Sequence, residues 1–416
     1  MFKNFKKIGA LLLTVAMLLS CGAAAFADHE LSGTGDDVIV AGQSELRIPK
    51  TLVLESSLDK AFIPEIEYSY SIEPATPPAG ATVTDDAAQH SPAVSVTSVV
   101  TAGPVGGVTL GSEGKVVFAA GEMDKGTLTE YLSVSVEIGR FSKPGIYRYK
   151  ISDVTDESVL FDAGVTRGAA YAADRYLDIY IHYSASEALE PYGYVLLREN
   201  KANVNADDSA KSIGFVEAEE GDTTDIYTTV DISVSKTVTG AMGDLKHEFD
   251  FAISVSNNGL SYYAKENAVP AVSDVKDDTS FSVELKNGDV YYLCGLSPKA
   301  VVSYTETNDT IDTYQVTIID NASAIVNSVD KSAAAPGEQQ TTGELAVSNY
   351  PAADPGDFVN TRVAASDNQA IDFTNNLDEI SPTGVVLRVA PYALMLGAGL
   401  FLLLLAKRRR EEKEEA

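Results

Sequence analysis

Apolar and polar positions alternate at period two along much of this chain. The clearest runs are Tyr68-Ser69-Tyr70-Ser71-Ile72, Tyr176-Leu177-Asp178-Ile179-Tyr180-Ile181 and Phe249-Asp250-Phe251-Ala252-Ile253. Such spacing sends alternate side chains to opposite faces of a sheet. Val, Thr, Ile and Tyr fill these runs, and clusters of Gly, Pro, Asn and Asp separate them. Both features are strand signals. Away from the two ends, no helical apolar pattern persists for about 12 residues. The pattern predicts an all-β fold built of antiparallel sandwiches, with the Ser and Asp positions of each strand facing water.

The two ends break the pattern. Lys3, Lys6 and Lys7 precede the apolar run Ile8–Leu19, and Ala25-Phe26-Ala27 follows as an A-x-A cleavage site. Residues 1–27 therefore read as a secretory signal, with Leu18-Leu19-Ser20-Cys21 as an alternative lipoprotein box. At the other end, Val389–Ala406 carries no charged side chain and Lys407-Arg408-Arg409-Arg410 follows it. That is about the shortest span that crosses a bilayer, with a basic tail to hold it on the cytoplasmic side. The chain is thus expected to be extracellular, held at the cell surface from a single-pass precursor.

The formal net charge is −29 over 416 residues. Removing residues 1–27 and those after Thr383 takes away nine basic and four acidic residues, which deepens it to −34. Such a field repels phosphate backbones, so no nucleic-acid partner is expected. Cys294 is the one cysteine left, so the region has no internal disulfide. No cofactor is expected and no metal site is read. His29, His90, His182 and His247 are scattered, and neither a Gly-x-Ser-x-Gly elbow nor a phosphate-cradling loop occurs.

An internal repeat organises the middle. Leu46-Arg47-Ile48-Pro49-Lys50 leads to the aromatic strand Tyr68-Ser69-Tyr70, as Asp231–Lys236 leads to Phe249-Asp250-Phe251. Gly145–Asp153 corresponds to Val301–Glu306, and each unit closes with a polar-ended strand, Thr224–Tyr227 and Ile371–Asn375. The boundary falls near Tyr227–Val230, giving domains at 28–229 and 230–379 and an end segment at 380–416. Glu199–Asp222 and Asp330–Glu344 read as surface loops. Each unit offers a Lys on its first strand, an acid in its middle and an Asn or Asp on its last. Lys236 shares a period-two face with Ile232, Val234 and Val238, which argues for burial rather than a solvated strand face.

The ordered markers Ile48-Pro49-Lys50, Lys143-Pro144-Gly145-Ile146-Tyr147-Arg148-Tyr149, Lys236–Gly240, Tyr304-Thr305-Glu306 and Phe373-Thr374-Asn375 resemble those of the Gram-positive major pilins of the streptococcal T-antigen type. The resemblance covers nearly all of residues 40–384. It implies two tandem immunoglobulin-like β-sandwiches of the reversed, collagen-adhesin B type, each stapled by a spontaneous Lys–Asn or Lys–Asp isopeptide bond. Carried onto this chain, it pairs Lys236 with Asn375, assisted by Glu306. It pairs Lys50 with Asp225, assisted by Asp153, although Asp153 also reads as a turn residue. Ile380-Ser381-Pro382-Thr383-Gly384, the apolar span and the basic tail resemble a cell-wall sorting signal, whose usual core is Leu-Pro-x-Thr-Gly. Cleavage would fall between Thr383 and Gly384. The resemblance implies a sortase, neighbouring pilin subunits and a cell-wall or membrane anchor as partners. Lys211 is the nearest match to the subunit-linking lysine, with Lys201 as competitor. The expected role is a pilus shaft subunit, not an enzyme. A monomeric wall-anchored adhesin of the same domains is the alternative, and a surface hydrolase is the remote one.

Overall fold

The computed structural model describes residues 45–85, 96–168, 174–184, 186–204, 210–216, 225–277, 279–307, 314–320, 340–342, 345–346, 369–378 and 395. The expected export signal and the Thr383–Gly384 cleavage point lie outside them, as does all of the apolar C-terminal span except residue 395. Among the described residues no helix is long and apolar enough to cross a membrane.

The protein is all-β. Its first sixteen strands are β1 (Glu45–Glu55), β2 (Lys60–Ile63), β3 (Ile66–Pro74), β4 (Thr82–Asp85), β5 (Val96–Ala102), β6 (Val108–Leu110), β7 (Lys115–Phe118) and β8 (Gly121–Asp124). They continue with β9 (Gly126–Val136), β10 (Gly145–Asp153), β11 (Val165–Thr166), β12 (Arg175–Tyr183), β13 (Leu189–Leu197), β14 (Asn203–Val204), β15 (Lys211–Ser212) and β16 (Asp225–Thr228). A short helix, α1 (Glu157–Ala163), follows β10. Asp156 caps it by accepting the Ser158 N–H, and Gly164 ends it in the left-handed region at φ 84°. Only one residue, Thr229, separates β16 from the next strand.

That strand is β17 (Val230–Thr239), rich in the β-branched residues that suit a pleated sheet. After it come β18 (Phe249–Ser256), β19 (Tyr262–Glu266), β20 (Val275–Lys276), β21 (Ser280–Leu285) and β22 (Val290–Leu296). Last are β23 (Val301–Thr307), β24 (Gln315–Asp320), β25 (Gln340–Thr341), β26 (Leu345–Ala346) and β27 (Gln369–Asn376).

Each half packs two main sheets. In the first, the sheet β11-β16-β1-β9-β6 faces a nine-stranded sheet that contains β3, β10, β12 and β13. In the second, β20-β19-β22-β17-β27-β24 faces β21-β18-β23-β25. Alternating side chains from the facing sheets fill each core. Leu46, Ile48, Tyr68, Tyr149 and Leu177 belong to one cluster, and Val234, Phe251, Tyr304 and Phe373 to the other. A third, smaller cluster lies around Val83, Val100, Ile146 and Leu197, so β10 is buried on both faces from Ile146 to Tyr149.

In both halves the first strand pairs with the last, and the pairing is parallel. Leu52 lies opposite Asp225 in β1 and β16, and Val238 opposite Asn375 in β17 and β27. The halves also touch one another. Phe62 packs on Tyr263 with ring centroids 5.5 Å apart, and the Tyr263 hydroxyl donates to Glu122 at 2.9 Å.

Two expectations need correction. Asp178 sits on the polar phase of its strand yet is fully buried, because the Arg148 guanidinium grips it through two 2.7 Å hydrogen bonds. A bidentate pair of this kind offsets the loss of hydration on both sides. Nor is Glu199–Asp222 merely a surface loop. Val204, Phe215 and Val216 within it are buried, and β14 and β15 pair with other strands.

Phe373 is fully buried and meets Phe251 edge-on at 5.0 Å. Phe373→Ala is expected to destabilise the second half by about 3–5 kcal/mol, since the vacated space cannot fully collapse. A lower urea midpoint with an unchanged slope is the result that checks it.

Candidate functional site

Two buried pockets, one in each half, bring together the lysines and acids named from the sequence. Both are built on the same frame. The lysine stands on the first strand, its partner on the last, and the partner lies opposite the residue two places beyond the lysine. Behind them, β10 places Asp153 opposite Tyr70 of β3, and β23 places Glu306 opposite Phe251 of β18. The aromatic residue two places before each of these roofs the lysine. Lys50 Nζ is 4.0 Å from the Tyr68 ring centroid, and Lys236 Nζ is 4.0 Å from that of Phe249.

In the second pocket Lys236 and Glu306 are sealed from solvent. Lys236 Nζ donates to Glu306 Oε2 at 2.8 Å, and Asn375 Nδ2 donates to Glu306 Oε1 at 2.5 Å. One carboxylate therefore holds both the amine and the amide. Asn375 Oδ1 has no hydrogen-bond partner among the described residues. Burial pushes Lys236 down from 10.5 to about 8, against the opposing pull of Glu306. The removal of water from an ammonium outweighs the nearby charge here.

The first pocket uses the same frame differently. Lys50 Nζ donates directly to Asp225 Oδ2 at 2.8 Å, and both side chains are fully buried. Asp225 Oδ1 accepts the Gly168 N–H at 2.9 Å. Asp153 is engaged through Oδ2 by the Arg167 guanidinium and through Oδ1 by the Thr155 N–H. Burial again lowers Lys50 to about 8; Asp225 and Asp153 oppose the shift and Arg167 adds to it. Phe215 closes this pocket over β1. Its N–H donates to Pro49 O, its carbonyl accepts the Thr51 N–H, and its ring packs 4.8 Å from that of Tyr70.

Arg167, Gly168 and Phe215 escaped the sequence reading. Arg167 and Gly168 follow a two-residue strand, too short for a period to register. The antiparallel register Val165↔Tyr227 and Thr166↔Ile226 carries them up to Asp225. Phe215 sits at an isolated bridge to Lys50 in a segment dominated by polar residues.

The two linking-lysine candidates are both half-buried. Lys211 is paired in β15 opposite Leu197, and the Lys201 carbonyl accepts from Arg148 at 2.6 Å. Cys294 is buried. Among the described residues no group of three or more His, Cys, Asp or Glu is arranged to hold a metal ion.

Residues 230–349 match the family model described as Domain of unknown function (DUF7601). Among solved structures, the major pilin from Streptococcus pyogenes superposes with a TM-score of 0.49 and 16% identity, covering 81% of this chain and 99% of that one. The major pilin T3.2 from Streptococcus pyogenes serotype GAS13637 gives 0.44 and 15%, covering 81% and 98%. A curated relative named Pilin, from Streptococcus pyogenes serotype M1, is 24% identical over 398 residues, which is 93% of this chain and 94% of the relative. Along nearly its whole length the chain is therefore similar to a streptococcal pilin.

Proposed function

We propose that this chain is a structural pilus shaft subunit whose two domains, residues 28–229 and 230–379, each carry an autocatalytic isopeptide bond. The observation that carries this reading is the duplicated constellation: Lys50, Asp153 and Asp225 on the same strand frame as Lys236, Glu306 and Asn375. Two unrelated ion pairs have no reason to share both registers.

The chemistry follows from the burial. An ammonium has no lone pair to attack with. Desolvation in an aromatic pocket favours the free amine, and the listless competition of water is removed at the same time. In the second domain, Lys236 would add to the Asn375 amide carbon. Glu306, hydrogen-bonded to both groups, would take a proton from the nitrogen and pass it to the departing group, which leaves as ammonia. In the first, the Asp225 carboxyl would be the acceptor and water the leaving group, with Asp153 as the assisting acid. Each bond forms once, on the chain's own side chains. Proximity in a folded core supplies the drive that a free amine and amide lack.

Polymerisation belongs to the same proposal. A sortase would cut between Thr383 and Gly384 and join Thr383 to a lysine of the next subunit, with Lys211 the candidate and Lys201 its rival. The subunit would be secreted and end at the cell wall or membrane.

The intact mass of secreted residues 28–379 tests the bonds. The expected loss is one ammonia and one water against the sequence mass. Lys236→Ala should abolish the ammonia loss alone, and Lys50→Ala the water loss alone. An unchanged mass in the parent chain would sink both bonds. A Lys-dependent ladder in cell-wall extracts separates the shaft from a monomeric adhesin of the same domains.

A second expectation concerns pH. In Asn375→Ala the amine stays free, and burial holds it near 8 when folded against 10.5 when unfolded. Between those values the unfolded chain binds the extra proton, so stability should climb with pH, by on the order of 3 kcal/mol in all. A linked Lys236 no longer titrates there. Urea midpoints of parent and variant across this window decide the matter: an identical climb in both argues against the bond.

A further inference from the structure

Resting on the proposed Lys50–Asp225 bond, we infer that Arg167 and Gly168 complete the first pocket's apparatus: Gly168 N–H holds the oxygen that becomes the amide carbonyl, and Arg167 positions Asp153. The two Asp225 oxygens are already distinguished. Oδ2 faces Lys50 Nζ at 2.8 Å, and Oδ1 accepts Gly168 N–H at 2.9 Å. The neighbouring Arg167 holds Asp153 Oδ2, so two successive residues touch both acids of the site. In the second pocket Asn375 Oδ1 has no such donor among the described residues, and Glu306 alone bridges amine and amide.

The step balances without any external reagent. A proton passes from the Lys50 ammonium to Asp225 Oδ2, leaving amine and carboxylic acid. The nitrogen lone pair adds to Cγ, and the carbonyl π pair moves onto Oδ1, where the Gly168 N–H stabilises the charge. Asp153 takes one proton from the nitrogen and returns it to Oδ2. The Cγ–Oδ2 bond then breaks, water leaves, and Oδ1 becomes the amide oxygen. Asp153 ends as it began.

Arg167 has a second effect. The groups that face Lys50 include Asp225 from β16, Asp153 from β10, the Tyr68 ring from β3 and Arg167, which follows β11 directly. Of the charged three, only Arg167 disfavours the ammonium, and it thereby works in the same direction as burial. Its removal should raise the pH at which Lys50 loses the proton that the step passes to Asp225, and so move the alkaline limb of the rate profile upward, which a purely structural residue would not do.

The test uses the full-length chain, collected unfolded in guanidinium and refolded across a pH series. Samples are quenched at intervals, and mass spectrometry of tryptic fragments reads each link separately. Arg167→Gln should slow the Lys50–Asp225 link about tenfold and move its pH profile to the alkaline side. Arg167→Lys should restore part of both. Gly168→Pro removes the N–H and should slow the link on the order of a hundredfold, while Gly168→Ala keeps the N–H and should not. The Lys236–Asn375 link in the same molecules is the internal standard. Parent-like rates and profiles in Arg167→Gln, or equal rates in the two Gly168 variants, would overturn the inference. If Arg167→Gln does not fold, the Gly168 contrast decides alone. A parent chain that never links Lys50 to Asp225 overturns the underlying reading instead, and the inference with it.

Discussion

A lysine amine sealed inside an aromatic pocket is the constraint on which each half of this protein turns. Taking an ammonium out of water is expensive, and a facing carboxylate repays that only when geometry and hydrogen bonding are nearly ideal. Both halves meet the demand the same way. A ring roofs the amine at 4.0 Å, an acid oxygen accepts from it at 2.8 Å, and no solvent reaches the pair. The frame has to hold four strands in fixed register to do this: the first and last in one sheet, and an aromatic strand beside an acid strand in the other. A slip of one residue in any of them would turn the lysine, its partner or its roof to the wrong face.

The same frame carries two different sets of acids and bases. Glu306 has one more methylene than Asp153 and spans from Lys236 to Asn375. The shorter Asp153 is instead tied to Arg167, and Asp225 stands directly against Lys50. The first pocket thus gathers two basic and two acidic side chains, and the second one of each plus a neutral amide. In both, formal charges of opposite sign match in number, as an interior of low polarity requires. The carboxyl at the last strand of the first half goes with an added guanidinium, which pairs with Asp153. Asp225 brings a charge that Asn375 does not.

Much of this was legible along the chain. Period-two runs such as Tyr68–Ile72 and Phe249–Ile253 announced the strands, and the phase of Lys236 with Ile232, Val234 and Val238 announced its burial. The repeat brought out lysine, acid and partner in order. What stayed hidden depends on contacts between residues far apart in sequence. Asp178 reads as an outward polar position until Arg148, thirty residues away, is folded beside it. Arg167 and Gly168 reach Asp225 only through the register of a two-residue strand, and Phe215 reaches Lys50 only across an isolated bridge. None of these leaves a periodic trace, because a period reports which face a residue lies on and not what the opposite face brings to it.

With the proposed links in place, the direction of the strands would give the pockets a mechanical role. In each half the first and last strands run parallel, so tension applied at the two chain ends shears them past each other rather than peeling them apart. Hydrogen bonds alone would resist that only until the pair slid. A covalent link from Lys50 to Asp225 would carry the load from β1 straight into β16, leaving all the strands between them outside the line of force. A link from Lys236 to Asn375 would do the same for β17 and β27. Because Thr229 alone separates β16 from β17, load leaving the first link would enter the second half within a few residues of its own lysine strand. The extensible part of the chain would then shrink to short single-strand stretches before, between and after the two links. A disulfide across a long loop restricts the unfolded chain in a similar way, but an amide resists the thiol exchange that opens one. For a region whose one cysteine is the buried Cys294, the proposed lysine links would supply the covalent closure that a disulfide cannot.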